Sequence, residues 1–152
     1  MPSLPASDFS RRQRAKYVLR PGFLDAEKRK ALHLRIPQDS PVETFAGVES
    51  GVKSGEFQLF DVYQDGKRIG FTVSTVTEGD AGRELLSIAS YSDGGKGADV
   101  TGGAMPILEK IAQEQGCTGI RLHTMRTGLV EKLIPEGWYV SEIVMRKNLS
   151  NA

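Results

Sequence analysis

A glycine-rich loop, Gly94-Gly95-Lys96-Gly97, is the part of the sequence whose residue types most directly indicate chemistry. It stands between a run of strand-forming residues and an amphipathic helical pattern. Glycines let a backbone approach a ligand closely, and the N–H groups at a helix start attract a phosphate. The loop is not a Walker A motif, because Lys96 is followed by Gly97 rather than by Ser or Thr. Either it binds an anion or it is an ordinary surface loop.

Two titratable side chains lie near predicted strand ends. His123 falls on the face opposite Ile120 and Leu122, where it is either a base or a solvent-facing residue. Tyr91 ends the strand before the glycine loop, where it either reaches a reacting group or packs on the sheet. The single cysteine, Cys117, excludes an internal disulfide and a thiolate metal cluster.

Two helices are predicted before the first predicted strand. Residues 23–32 have the composition of a short charged helix. Ser40 has the features of an N-cap, with Pro41 at the first helical position and Glu43 completing a capping box. The apolar stripe that follows consists of Val42, Phe45, Val48 and Val52. Either Gly51 or Gly55 is predicted to end this helix.

An antiparallel meander is predicted next. Its first two strands, Glu56–Tyr63 and Lys67–Thr77, are joined by Asp65-Gly66, which is the signal of a type I′ turn. A turn cluster at 78–82 leads to the third strand, Glu84–Tyr91.

The pattern then changes to alternating helix and strand. A helix after the glycine loop leads to a strand at Thr118–Thr124, which runs parallel to the preceding strand if the helix is a crossover. A short helix at 128–133 and a closing strand at Tyr139–Lys147 complete a mixed α/β sheet. Pro106 is expected to kink the crossover helix if that helix starts near Asp99.

Charge and length suggest one domain at 15–152 behind a basic arm at 1–14. The first 35 residues hold nine Lys and Arg against three acids, whereas the remainder is acidic. The arm either contacts nucleic-acid phosphates or is a solvated face, and the lack of a groove-reading motif favours the second. No run approaches the length of a transmembrane helix, and the start lacks the pattern of a secretory signal. We therefore expect a cytoplasmic protein without membrane contact.

The order of these elements resembles the GNAT N-acetyltransferase superfamily. The resemblance rests on the hairpin, the Gly95-Lys96-Gly97 loop between strand and helix, and the strand Cys117–Thr124. The stretch Gly128–Trp138 is similar to the family's leucine–glutamate–lysine–leucine–glycine–phenylalanine ending, with two residues inserted and tryptophan in the phenylalanine place. Residues 144–149 look like a GNAT final strand. The resemblance covers residues 40–149 and implies a GNAT-like α/β fold.

The resemblance also implies an acyl-coenzyme A-dependent N-acyltransferase that uses acetyl-coenzyme A (acetyl-CoA) as co-substrate. It places the coenzyme between strands 84–91 and 118–124, with pantetheine along the backbone of the first strand. An amine of a small molecule or a protein then attacks the thioester, which requires a base for the ammonium and an acid for the thiolate. Tyr91 and His123 are the catalytic candidates. The residues implied to bind the coenzyme are Ser90, Tyr91, Gly94, Gly95, Lys96, Gly97 and Ala98.

Two departures from the family pattern leave catalysis open. Residues 127–133 lack the tyrosine that family members commonly place there as the acid, and Asp93-Gly94 replaces the usual Gln or Arg opening of the pyrophosphate loop. The alternative is therefore a catalytically silent GNAT-like binding or structural module. A fold does not fix the acyl acceptor, and a homodimer stays open.

Overall fold

A computed structural model describes residues 15–39, 44–95 and 98–150 of the chain. The basic arm at 1–14, the predicted capping box from Ser40 to Glu43, and the loop residues Lys96 and Gly97 lie outside these ranges. Among the described residues, no helix is long and apolar enough to cross a membrane.

In the part of the chain that the structure describes, the strands form a five-stranded sheet in the order β1-β2-β3-β4-β5. The strands are β1 Tyr17–Pro21, β2 Gln58–Gln64, β3 Lys67–Gly79, β4 Gly82–Ser92 and β5 Gly119–Leu122. The first four are antiparallel to their neighbours, whereas β5 runs parallel to β4. This confirms the predicted mixed α/β fold. The strand β1 was not predicted, because it is a short edge strand with little alternation inside a basic segment.

Four α-helices pack around the sheet in the described ranges. They are α1 Ala26–Asp39, α2 Phe45–Ser54, α3 Val100–Glu114 and α4 Thr127–Leu133, the last followed by a 3-10 helix at Ile134–Glu136. The helix expected at 23–32 starts later, because the Asp25 carboxylate accepts a hydrogen bond from the Lys28 N–H and caps it. Thr44, and not Ser40, caps α2, since the Thr44 hydroxyl accepts from the Gly47 N–H at 3.1 Å.

The turn signals in the sequence are borne out by the backbone. Asp65 and Gly66 both have positive φ, 51° and 83°, as a type I′ turn between β2 and β3 requires. Gly55 ends α2 in the left-handed conformation at φ 82°. The sequence predicts these turn and helix-end positions because only a few residue types tolerate positive φ.

Two apolar clusters cover opposite faces of the sheet. On the side that we call the closed face, α1 and α2 pack on β2, β3 and β4 around Leu32, Val48 and Phe71. On the side that we call the cleft face, α3 packs around Val62 and Leu108 and approaches β1. The closest approach is at Gly103 of α3, where any side chain would collide with the ring of Tyr17.

The helix α3 is continuous across Pro106. It begins at Val100, with the Asp99 carboxylate accepting from the Gly102 N–H at 2.9 Å as its N-cap. The helix therefore starts next to Asp99, and Pro106 lies inside it. Proline in the second turn removes the bond that a residue there would donate to the Gly102 carbonyl.

The closing strand predicted at Tyr139–Lys147 is wrong for the single chain. The 3-10 helix ends at Gly137, with φ 93°, and residues 138–150 form neither helix nor strand. From Tyr139 onward the large side chains are exposed, with Ile143 at 82% and Met145 at 89%. The pattern is that of a strand, but within the described ranges this segment has no sheet partner.

Candidate functional site

The strand β4 shapes the candidate site, and it carries one extra residue. Ser74 of β3 pairs with Ser87, and the residue before it pairs with Ala89, so Ile88 has no partner in β3. Such a β-bulge shifts the alternation of side chains along the strand. As a result, Ile88 and Ala89 both pack on the closed face, while Ser87 and Ser90 both lie at the cleft face.

A cleft opens where β4 and β5 separate. Their last paired residues are Ser87 and Leu122, yet β4 continues to Ser92. The edge of β4 beyond Ser87 therefore has no strand partner among the described residues. The cleft has an empty volume of about 360 Å³ counted to its open mouth. Its walls come from β4, the first turns of α3, the end of β5 and α4: Ser87, Ile88, Ala89, Ser90, Thr101, Met105, Leu122, His123, Thr124, Arg126 and Leu129.

Hydroxyl groups line the sheet side of this cleft. The Thr72 hydroxyl donates to the Ala89 carbonyl at 3.1 Å and lies 3.2 Å from the Ser90 hydroxyl. Thr72, Ser74 and Ser87 are all buried. Because Thr72 is fully buried and bonded across the strands, it fixes the position of the Ser90 hydroxyl at the cleft wall.

The structure brings one of the two catalytic candidates to the cleft and not the other. His123 follows β5 directly and lines the cleft, half-buried. Tyr91 lies on the closed face instead, with its ring centroid 5.7 Å from that of Phe71. The Arg35 guanidinium lies 5.3 Å from the Tyr91 ring centroid, which is a cation–π contact. His123 and Tyr91 therefore do not form a pair.

The glycine loop uses several of its own N–H groups internally. The N–H groups of Asp93 and Gly94 both donate to the Ile69 carbonyl, at 2.9 and 3.0 Å, and that of Ala98 donates to the Gly95 carbonyl at 3.2 Å. Gly95 takes φ 76°, which suits glycine. A phosphate at this loop would depend on the remaining N–H groups, and Lys96 and Gly97 lie outside the described residues.

Asp93 is neutralised by a chain of alternating charges. Arg68 binds Asp93 at 2.6 Å and Asp61 at 3.0 Å, and the buried Lys28 ammonium reaches Asp61 at 2.9 Å. Partial burial alone would lower the pKa of Arg68, but the hydrogen bonds to Asp93 and Asp61 raise it above its ordinary value. No local pattern in the sequence predicts this charge chain, because its members come from separate segments. These ion pairs compensate the negative charge of Asp93, which would otherwise repel an anion bound at the neighbouring glycine loop.

A second ion pair marks the start of α3. The Lys132 ammonium of α4 binds the Asp99 carboxylate that caps α3. The pair links the helices on the two sides of the cleft mouth. It also places a cation beside the helix N-terminus, where the macrodipole favours negative charge. No local pattern in the sequence around Lys132 predicts this ion pair, because its partner lies 33 residues away.

An acyl-coenzyme A molecule fits the donor groups of this cleft. The free edge of β4 presents main-chain N–H and C=O groups that can pair with the amides of a pantetheine arm. Met105, Leu122 and Leu129 give the walls apolar surface, and Ser90 adds a fixed hydroxyl. Thr101 and Lys132 stand at the start of α3, the end suited to a phosphate.

Solved structures with this fold include acetyltransferases. A transcriptional regulator from Bacillus halodurans is similar with a TM-score of 0.62 and 13% identity, covering 88% of this chain and 100% of its own. A predicted acetyltransferase with acetyl-CoA from Clostridium acetobutylicum gives 0.58 and 12%, over 88% and 96%. The enzyme AAC(6′)-Iy, in complex with the bisubstrate analogue CoA-S-monomethyl-acetylneamine, gives 0.56 and 12%, over 90% and 99%. The fold is thus that of the GNAT acetyltransferases. No family model and no curated protein matches the sequence.

Proposed function

We propose that the protein is an acyl-coenzyme A-dependent N-acyltransferase with acetyl-CoA as its acyl donor. The observation that supports this most strongly is the cleft between β4 and β5, with an unpartnered β4 edge on one side and the start of α3 at its mouth. The acetyltransferase fold of the solved neighbours supports the same reading.

The proposed binding residues follow from this placement. The main chain of β4 from Ile88 to Ser92 pairs with the pantetheine amides, and the Ser90 hydroxyl adds a side-chain contact. The glycine loop, in which Gly95, Lys96 and Gly97 stay the predicted contacts, and Thr101 at the start of α3 bind the phosphates. The bound thioester supplies an activated acyl carbon, and the chain supplies its position and the proton transfers.

We assign the proton-transfer role to His123 in preference to Tyr91. His123 lines the cleft, whereas Tyr91 packs against Phe71 on the other face of the sheet. A neutral imidazole has one ring nitrogen that accepts a proton, so His123 can take a proton from the acceptor ammonium before the amine attacks. The acceptor is an amine of a small molecule or of a protein.

The test is acetyl-CoA binding measured by calorimetry on a matched pair of variants. Thr101→Glu adds bulk and negative charge at the half-exposed start of α3, so we expect the dissociation constant to rise about 30-fold or more. Gln113→Glu makes the same charge change at the far, exposed end of the same helix and should stay within about twofold. Equal affinity in the two variants, or no heat with the parent at millimolar acetyl-CoA, would overturn the proposed site.

The catalytically silent module stays the second candidate, and one observation favours it. The N–H groups of Asp93, Gly94 and Ala98 are bonded within the protein, which leaves fewer donors for a phosphate than the motif suggested. One of the structures with this fold is a transcriptional regulator. Binding without turnover on a panel of small amines and N-terminal peptides would favour this candidate.

A further inference from the structure

The last twelve described residues form an exposed arm with the pattern of a strand. In this arm, defined as Tyr139–Ser150, the side chains alternate between an apolar row and a more polar row. Tyr139, Ile143, Met145 and Leu149 fall in the first row, with exposures of 81%, 82%, 89% and 79%. A strand-like segment with this much exposed apolar surface requires a partner, since monomeric proteins rarely leave such surface in water.

In the described residues, β5 forms an edge of the sheet that can accept a further strand. In the described ranges, β5 is hydrogen-bonded to β4 on one side and to no strand on the other. All four residues of β5 are only half-buried, in contrast to the buried middle of β4. A bare edge of this kind pairs readily with a further strand.

The arm leaves the body of the protein beside this edge. Trp138 packs in the same apolar cluster as Ile120 and Leu122 of β5, and its N–H donates to the Leu133 carbonyl. From the next residue onward, every described residue is exposed. The arm therefore begins directly after a residue that packs with β5, and no described part of it is buried against the sheet of its own chain.

We propose that the arm adds as a strand to the β5 edge of a second copy of this chain, and that the two copies exchange arms. A two-fold arrangement of this kind satisfies both unpartnered features in both chains. The six large apolar side chains of each arm remove on the order of 100 Å² each from water when buried. Two arms then approach the lower limit of about 1,200 Å² for a stable interface, before the covered surface of the partner is counted.

The exchange also bears on the cleft, because β5 forms one of its walls. A partner arm beside β5 would lie next to the chain that continues into His123 and Thr124. The second copy would thereby support the wall on which His123 stands. This inference is independent of acetyl-CoA binding and can be tested in its absence.

Sedimentation velocity between about 1 and 100 μM tests the association. The full chain should sediment as a dimer, and the double variant Ile143→Asp/Met145→Asp should raise the dissociation constant at least about 100-fold while remaining folded, because both residues are exposed in the single chain. Asn148→Asp is the matched control, since it adds a negative charge to the polar row of the same arm. A monomeric parent at all concentrations overturns the proposal, and so does a double variant that dimerises like the control.

Photo-cross-linking then separates arm exchange from any other dimer. Met145→p-benzoylphenylalanine is introduced into a light-isotope chain, which is mixed with heavy-isotope parent and irradiated. Exchange predicts light–heavy peptides that join position 145 to residues 117–124. Links confined to the light chain would show that each arm folds onto its own β5, and links to another region would place the interface elsewhere. Either of these results overturns the proposal.

Discussion

The two faces of β4 differ although they belong to one strand. On the closed face, Ile88, Ala89 and Tyr91 belong to the apolar cluster that also contains residues of α1 and the neighbouring strands. On the cleft face, Ser87 and Ser90 present hydroxyls to a cleft that α3, β5 and α4 leave open. The same backbone thus provides a packing surface on one side and a binding surface on the other.

This difference between the two faces decides which of the two catalytic candidates, Tyr91 or His123, can reach a ligand in the cleft. A position at a strand end near a glycine loop does not predict whether a side chain reaches the cleft, because a residue there can face either side of the sheet. The side of the sheet decides access to the cleft, and it places His123 in the cleft and Tyr91 outside it.

The largest expected effect is on turnover. If the protein is an acyltransferase, His123→Gln should lower the rate of amine acetylation about 10²–10⁴-fold, because the variant loses a positioned proton-transfer group. Tyr91→Phe removes only a hydroxyl on the closed face and should change the rate less than about threefold. Steady-state kinetics at saturating acetyl-CoA measure both. The reverse order of effects would restore Tyr91 as the acid and contradict our comparison of the faces.

A smaller effect is expected on stability. Phe71 is 1% exposed in the centre of the closed face, so Phe71→Ala should lower the free energy of unfolding by about 3–5 kcal/mol. Ser90→Ala on the cleft face loses one hydroxyl contact and should cost about 1 kcal/mol. Urea denaturation gives both values. Similar costs for the two variants would mean that the faces are packed alike.

The smallest effect concerns α2, which covers the closed face. The hydrogen bond from the Lys53 ammonium lowers the pKa of Glu49, with Arg29 adding to this effect. A lowered carboxyl pKa stabilises the fold above the ordinary Glu value of about 4.3, and this contribution is lost as pH falls through the lower folded value. Lys53→Ala should raise the pKa of Glu49 in an NMR titration. Lys110→Ala, on α3, should leave it unchanged, and an equal shift in both would indicate a general charge effect.

Much of the fold could be predicted because its signals are local. The Asp65-Gly66 turn, the meander and the helix after the glycine loop each depend on neighbouring residues, and together they indicated the GNAT-like sheet. The strand Tyr17–Pro21 could not be predicted, because its place is set by pairing with β2, about forty residues away along the chain. The basic arm at 1–14 lies outside the described residues, so the prediction that it is a solvated face, and the alternative that it contacts nucleic acid, are not tested by the structure.

The candidate site was predicted less completely, and for a related reason. The sequence indicated His123 and the region between the two strands, since both follow from element order. The pairing of Arg68 with Asp93, and of Lys132 with Asp99, joins segments far apart in the chain and has no local pattern. The bulge at Ile88 was also invisible, so strict alternation could not assign Tyr91 to a face.

The unpaired Ile88 shifts the alternation of side chains along β4 by one residue. Before it, the odd-numbered positions Leu85 and Ser87 belong to the cleft side, and after it the even-numbered Ser90 does. If the same residues paired with β3 without the bulge, every side chain after Ile88 would turn over, which would bring the phenol of Tyr91 into the cleft and send the Ser90 hydroxyl into the apolar interior. Deleting Ile88 itself would leave Ala89, Ser90 and Tyr91 on their present faces, because their pairing with β3 would not change. While Ile88 is present, β4 therefore keeps Ser90 at the cleft and Tyr91 on the closed face only as long as the bulge accommodates the extra residue.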